Sequence, residues 1–134
     1  MEYYRKEWQR EAIQSLIEEF EMVKGDKVQR VFVARELAIE MLLRYLHYVL
    51  RRSRGSLFEI RPARILAFFR FRNPCVQYHL TNLLLQLNEL GIVQREKSGG
   101  KSGNVKYLIE KRRIPDAIAV LNNNYYKFIR EGYI

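Results

Sequence analysis

The sequence predicts a mainly α-helical chain with a small β-hairpin, an α+β fold class. Three observations carry this prediction. Apolar residues recur at helical spacing in three long segments, residues 3–23, 34–52 and 74–90. Two short segments of alternating apolar and polar residues, 92–97 and 105–109, follow the last of these helices. A polar loop with three glycines joins the two short segments, which is typical of a hairpin.

The N-terminal segment, residues 3–23, predicts an amphipathic helix. Its apolar stripe includes Trp8, Leu16 and Phe20, and its charged residues fall mostly outside that stripe. Because a small domain would not cover such a stripe completely, we expect these residues to pack against another helix.

The connector after this helix allows two interpretations. Residues 24–26, Lys-Gly-Asp, predict a helix stop. Asp26 and Gln29 resemble a capping box, which would start the next helix immediately. Val31 and Val33 alternate instead like a short strand. The sequence leaves this choice open.

The middle of the chain predicts a second helix at residues 34–52, a short strand at 57–60 and a short helix at 62–71. A third long helix follows, with Asn73 as its N-cap and Pro74 at its first helical position. Its predicted buried face consists of Val76, Leu80, Leu83, Leu84 and Leu87.

The C-terminal segment predicts a last helix that Pro115 opens, with three asparagines weakening its middle. Leu121, Tyr125 and Phe128 lie at helical spacing on it. We expect the two terminal helices to pack together and across the twofold axis of a homodimer. The predicted organisation is therefore an N-terminal helix and connector (1–33), a central domain (34–110) and a C-terminal packing or dimerisation helix (111–134).

The composition points to a polyanionic partner. Lys and Arg number 24 against 15 acidic residues, which gives a formal net charge of +9. Such an imbalance favours nucleic acid first and an anionic membrane surface second. Seven arginines fall between residues 51 and 72, where Glu59 is the only acid. The apolar segments are interrupted by charges and the first residues lack a signal peptide's apolar stretch, so we expect a cytoplasmic, nucleoid-associated protein without a membrane partner.

The outer face of the third long helix carries the candidate base-contacting residues. Gln77, Tyr78, Thr81 and Asn82 form a nearly uncharged polar face at its N-terminal end. Gln and Asn can pair with adenine edges, and Thr can contact a thymine methyl group. Every soluble helix has a polar outer face, so the position of this helix between a turn and a hairpin is what favours a role in base reading.

The hairpin and the preceding turn supply the candidate phosphate contacts. Lys97, Lys101 and Lys106 surround the glycine-rich loop, while Arg70 and Arg72 precede the third long helix. Glycines allow backbone amides to approach a phosphate, and lysines neutralise it. A solvated hairpin tip would have a similar composition.

The sequence predicts no catalytic, metal or cofactor site. Cys75 is the only cysteine, and His47 and His79 share no metal-ligand spacing with it or with each other. We expect His79 to be a surface or half-buried residue and Cys75 an inert, packed thiol. The expected protein is not an enzyme.

Residues 34–110 resemble the winged helix-turn-helix superfamily. The predicted order is helix, short strand, helix, helix, strand, loop and strand. The sequence at 87–93, LNELGIV, is similar to the helix exit of MarR-like and ArsR-like regulators, especially archaeal ones. The resemblance implies that residues 73–82 enter the major groove of duplex DNA and that residues 98–104 reach phosphates or the minor groove.

The expected function is therefore duplex-DNA binding by a dimeric transcriptional regulator or a chromatin- or mobile-element-associated factor. A winged helix can equally serve as a protein-interaction module in a replication, transcription or division complex. Aromatic residues near both termini also allow single-stranded nucleic-acid binding by base stacking.

Overall fold

The computed structural model describes residues 11, 13–52, 54–97 and 105–130. Six α-helices are present in this part of the chain: α1 (Gln14–Met22), α2 (Lys27–Arg52), α3 (Pro62–Phe68), α4 (Pro74–Glu89), α5 (Ile114–Asn123) and α6 (Tyr125–Arg130). The strands are β1 (Leu57–Ile60), β2 (Gln94–Lys97) and β3 (Val105–Glu110), and a 3-10 turn over Lys111–Arg113 leads into α5. The predicted α+β class, mainly helical with a small sheet, is confirmed.

The three strands form one antiparallel sheet in the order β1-β3-β2. The central strand β3 pairs with β1 from Leu57 opposite Glu110 to Ile60 opposite Tyr107. It pairs with β2 from Gln94 opposite Leu108 to Lys97 opposite Val105. The end of β1 at Ile60 therefore lies on the same side as the 98–104 connection, whereas its start at Leu57 lies at the opposite end of the sheet.

The long helix α2 is the central element of the fold. The Asp26 side chain caps it, with Oδ1 accepting hydrogen bonds from the backbone N–H groups of Val28 and Gln29 at 3.1 Å each. The interpretation with a helix start near Lys27 is thus correct, with Asp26 as N-cap, and the strand interpretation at Val31 and Val33 is wrong. The Asp26 N–H bonds the Val23 carbonyl oxygen at 3.1 Å and not the Gln29 side chain, so the capping box is only half formed. The predicted helix start at residue 34 was seven residues late, so the boundary drawn after residue 33 falls inside a continuous helix.

Both terminal helical regions pack against α2. Contacts join α1, α5 and α6 each to α2, rather than mainly to one another as predicted. The predicted N-terminal helix is confirmed over α1, but Ile13 is a non-helical cap residue, so the helix predicted over 3–23 is interrupted there. Residues 1–10 and 12 lie outside the described part of the chain. The core that results also includes α3 and α4, since both contact α2 as well.

The C-terminal helical region is divided in two at Asn124. Its backbone N–H and its Nδ2 both donate to the carbonyl oxygen of Val120, at 3.1 and 2.9 Å. An asparagine side chain that donates to a carbonyl oxygen of the preceding turn favours the end of a helix, because it competes with backbone N–H groups for that acceptor. The predicted weakness at the three asparagines is therefore a break between α5 and α6.

Candidate nucleic-acid interface

The predicted division of α4 into two faces is confirmed. Val76, Leu80, Leu83, Leu84 and Leu87 are all buried in the core. Gln77 and Tyr78 are exposed, with Tyr78 at 63%, while Thr81 and Asn82 are half-buried. The Gln77, Tyr78, Thr81 and Asn82 side chains, here called the α4 outer face, therefore lie on the side of the helix away from the core.

The N-terminus of α4 is fixed by its predicted cap. Oδ1 of Asn73 accepts hydrogen bonds from the backbone N–H groups of Cys75 at 2.9 Å and Val76 at 3.1 Å. One turn further on, the Thr81 hydroxyl donates to the Gln77 carbonyl oxygen at 3.1 Å, which limits its rotamers. The first two turns of the α4 outer face are thus held by local hydrogen bonds as well as by packing.

The turn between α3 and α4 contains an arginine in a left-handed conformation. Arg70 has φ of +54°, the only positive φ at a non-glycine residue among those described. Its N–H bonds the Ala67 carbonyl, and the Phe71 N–H bonds the Leu66 carbonyl. These two bonds form a Schellman motif, in which glycine is the usual residue at the left-handed position.

The same motif closes α4, where glycine does occupy that position. Gly91 has φ of +76°, its N–H bonds the Asn88 carbonyl, and the Ile92 N–H bonds the Leu87 carbonyl. A non-glycine residue in the left-handed region costs about 1–2 kcal/mol. The left-handed conformation therefore has a conformational cost at Arg70 that it does not have at Gly91. Arg70 and Arg72 are both exposed beside the start of α4.

The glycine-rich loop falls on residues that the structure does not describe. Lys101 lies in this segment, and Lys97 is described only through its backbone pairing with Val105 in the sheet. The predicted phosphate contacts of these two lysines remain predictions. The strand register nevertheless places both flanks of the loop, Lys97 and Val105, at the end of the sheet where β1 finishes.

Lys106, a predicted phosphate contact, lies between two carboxylates of the sheet. Its Nζ lies 3.3 Å from Glu59 Oε2 and 3.5 Å from Glu96 Oε1. The ammonium is half-buried between two carboxylates that join all three strands, so its charge is already compensated within the protein. The sequence did not suggest this pairing, because Glu59 and Glu96 become neighbours of Lys106 only in the folded sheet.

Glu59 also binds two of the predicted cluster of arginines. Its Oε1 lies 2.8 Å from Arg61 Nε and 3.7 Å from Arg64 Nη1. Burial acts to raise the pKa of Glu59, but the hydrogen bond from Lys106 and the charge of Arg61 outweigh it and lower the pKa below its usual value. The arginine cluster is therefore divided: Arg61 and Arg64 lie where β1 ends, whereas the arginines at 51, 52 and 54 precede its start.

Arg95 is a candidate contact that sequence reasoning missed. It is exposed on β2 directly opposite Tyr107, and its backbone N–H donates to Asn88 Oδ1 of α4 at 3.1 Å. Burial raises the pKa of Tyr107, and the hydrogen bond from Arg95 offsets this in part. The signal available in the sequence was the alternation of side chains along β2. It places Arg95 on one face of the sheet and Gln94 and Glu96 on the other.

His79 is buried, not surface-exposed or half-buried as predicted. It is 5% exposed, and burial together with the nearby Arg35 charge lowers its pKa to about 4. It is therefore neutral at pH 7. In the part of the chain that the structure describes, His, Cys, Asp and Glu side chains form no group of three that could hold a metal ion.

The residues predicted for dimerisation or packing lie largely inside one chain. Phe20, Leu121 and Phe128 are buried, and Leu16 is half-buried. The Tyr125 hydroxyl donates to Glu40 Oε2 at 2.8 Å, and burial, followed by this bond, raises the pKa of Tyr125. Trp8 lies outside the described residues. Phe20, Leu121 and Phe128 therefore serve packing within the chain, and dimerisation stays a prediction.

Comparison with known proteins identifies no relative. No protein-family model, curated protein or solved structure matches the chain. Among the described helices, none has the length and apolar character needed to cross a membrane.

Proposed function

We propose that the chain is a winged helix-turn-helix protein that binds duplex DNA, with the α4 outer face in the major groove. The order α2-β1-α3-α4-β2-β3 and the sheet order β1-β3-β2 support this proposal. In this arrangement α4 is the recognition helix, and the β2–β3 hairpin is the wing.

The observation that carries the proposal is the junction of α3 and α4. An uncharged, exposed helix face starts directly after a turn that holds Arg70 in an unfavourable backbone conformation. Strained residues cluster at functional sites, where the surrounding structure maintains them. Arginine beside a face of Gln, Thr and Asn suits phosphate contact next to base contact. Arg72 is exposed in the same turn, and Arg95 is exposed on the first strand of the proposed wing.

The salt dependence of duplex binding tests the proposal. Each phosphate contact contributes about 0.9 to the slope of log affinity against log salt concentration. We expect Lys101→Gln to reduce the slope by about one unit. Lys106→Gln should change it less, because Glu59 and Glu96 already pair with Lys106.

A matched control removes a positive charge elsewhere. Arg112 is exposed and bonds Glu110 at the other end of β3, so Arg112→Gln should leave the slope unchanged. Absence of duplex binding at low salt would contradict the proposed surface. It would also be contradicted if Arg112→Gln reduced the salt slope and Lys101→Gln did not.

The single-stranded alternative loses part of its basis. Phe128 is buried and cannot stack on a base, and Tyr125 is half-buried with its hydroxyl bonded to Glu40, whereas Tyr126 is 78% exposed. Competition between a single strand and a duplex of the same sequence distinguishes the two kinds of ligand. We expect the duplex to compete better.

The alternative of a protein-interaction module has one favourable observation. Tyr78 is a large, exposed aromatic residue in the middle of the α4 outer face, and Leu85 lies half-buried further along the helix. Aromatic anchors of this kind are frequent in protein interfaces. A stable protein complex that Tyr78→Ser disrupts, with no duplex binding, would favour this alternative.

A further inference from the structure

A second surface of the chain has the properties of a peptide-binding groove. Between the N-terminal half of α2 and the end of α6 lies a groove of about 360 Å³, lined by Lys27, Val28, Val31, Phe32, Arg35 and Arg130. This volume is at the small end for ligand sites, which run from roughly 300 to 1,000 Å³. It is sufficient for a few side chains, but small for a bulky cofactor.

The floor of the groove is apolar and open to solvent. Val28 is 66% exposed and Phe32 37% exposed, although both lie on the central helix of the fold. They are four residues apart and so lie on one face of α2, whereas Leu37 lies half a turn away from Val28 on the buried face. Contiguous exposed apolar side chains on a soluble domain mark interaction sites.

The rim of the groove is cationic. Lys27 and Arg130 are exposed, and Nη1 of Arg35 donates to the Ile129 carbonyl oxygen at 3.1 Å, which fixes its guanidinium at the junction of α2 and α6. Among the described residues that line the groove, three are cations and none is an acid. Charge complementarity therefore selects a negatively charged occupant.

We propose that this groove binds an acidic amphipathic segment of another protein, with apolar side chains on Val28 and Phe32 and carboxylates against the exposed Lys27 and Arg130. Binding of an amphipathic helix in an apolar groove is a common mode of peptide recognition. The described lining residues come from α2 and α6, not from α4 or the hairpin. The groove can thus be occupied while the α4 outer face contacts DNA, and the proposal does not depend on DNA binding.

Selection from a displayed library of random 12-residue peptides tests the proposal. The full chain serves as the target, and the Phe32→Ser variant is the counter-target. We expect the selected peptides to combine Leu, Phe or Trp with several Asp or Glu residues. A synthetic peptide from this pool should bind Phe32→Ser about tenfold or more weakly than the unmodified chain, as for loss of one interface anchor.

Met22→Ser is the matched control. Met22 is highly exposed but does not line the groove, so this variant also loses an exposed apolar side chain. It should bind the peptide as the unmodified chain does. Both variants should keep the circular dichroism spectrum of the unmodified chain and its duplex affinity, which separates this site from the DNA surface.

Four outcomes would overturn the proposal. A selected pool without enrichment of acids, or without enrichment of any sequence, would remove the argument from charge. Equal peptide binding by the Phe32→Ser and unmodified chains would place the peptide elsewhere. A dimer in light scattering that Phe32→Ser converts to a monomer would identify a second copy as the occupant. Tighter binding to vesicles of phosphatidylcholine and phosphatidylserine than to any selected peptide, lost in Phe32→Ser, would identify a membrane.

Discussion

A single arginine shows how a residue can be retained against its local conformational preference. Arg70 occupies the left-handed position of a Schellman motif, and Gly91 occupies the equivalent position at the end of α4. Arg70 is an exposed residue at the turn before the α4 outer face. If the role of Arg70 is to contact DNA, substitutions should change duplex affinity through the lost charge and stability through the backbone strain, independently of each other.

Two substitutions at this position make that separation measurable. Arg70→Gly and Arg70→Ala both remove the guanidinium, but only alanine keeps the left-handed cost. We expect the free energy of unfolding of Arg70→Gly to exceed that of Arg70→Ala by about 1 kcal/mol in urea titrations. The two variants should lose duplex affinity equally. Unequal affinities would mean that turn conformation, and not charge, determines binding.

His79 provides a residue-scale prediction for pH. Its pKa of about 4 in the folded chain lies below the ordinary histidine value of 6.5, so the unfolded chain binds more protons between these values. The free energy of unfolding should therefore fall as pH decreases from about 6.5 to about 4, by on the order of 2 kcal/mol. Urea titrations at pH 7 and pH 4.5 measure this loss.

The control for this experiment is the exposed histidine, His47. His79→Gln should remove most of the pH-dependent loss, and His47→Gln should not. Comparing the variants with the unmodified chain isolates the histidine from carboxyl groups that titrate in the same range. Retention of the full pH dependence in His79→Gln would assign the effect to other groups.

At the scale of elements, cap residues and breaking residues predicted the boundaries best. Asn73 and Pro74 gave the start of α4, and Pro62 the start of α3, because each acts through its own backbone or side chain. The strand at 57–60 and the return strand at 105 were also predicted, since β alternation and the glycine-rich loop are local signals.

Features that depend on distant contacts were missed at the same scale. Val31 and Val33 favoured a strand locally, but Asp26 caps α2 and packing of α1 against it determines the outcome. The ion pairs of Lys106 require strand pairing with Glu59 and Glu96, which no local pattern supplies. The burial of His79 is different, because helical spacing from Val76 and Leu83 placed it beside the predicted buried face and the prediction overlooked it.

The N-cap of α4 leads to an element-scale prediction. Asn73→Ala removes the acceptor for two backbone N–H groups and should lower the free energy of unfolding by about 1 kcal/mol. Asn122→Ala, at an exposed helical position in α5, should leave stability the same or raise it by a few tenths. Urea titration of the two variants measures both effects. Equal stabilities would contradict the capping role.

At the scale of the whole molecule, the terminal helices belong to the core of a single chain. Phe128 of α6 is buried against this core, whereas its neighbour Tyr126 is 78% exposed. Phe128→Ala should reduce the free energy of unfolding by about 3 kcal/mol, and Tyr126→Ala by less than about 0.5 kcal/mol.

Dependence on protein concentration distinguishes packing within the chain from packing between chains. The thermal midpoint of Phe128→Ala should be lowered by the same amount at all protein concentrations. A reduction that disappears at high concentration would show that Phe128 contributes to an interface between chains, because association then stabilises the folded state.

Helix α2 contacts each of the other described helices, α1, α3, α4, α5 and α6. Fragments separated between residues 33 and 34 would divide this helix, and each would expose apolar side chains whose partners lie on the other piece. Neither fragment alone should fold, but the two mixed together should reassociate along α2 and recover the far-ultraviolet signal of the intact chain.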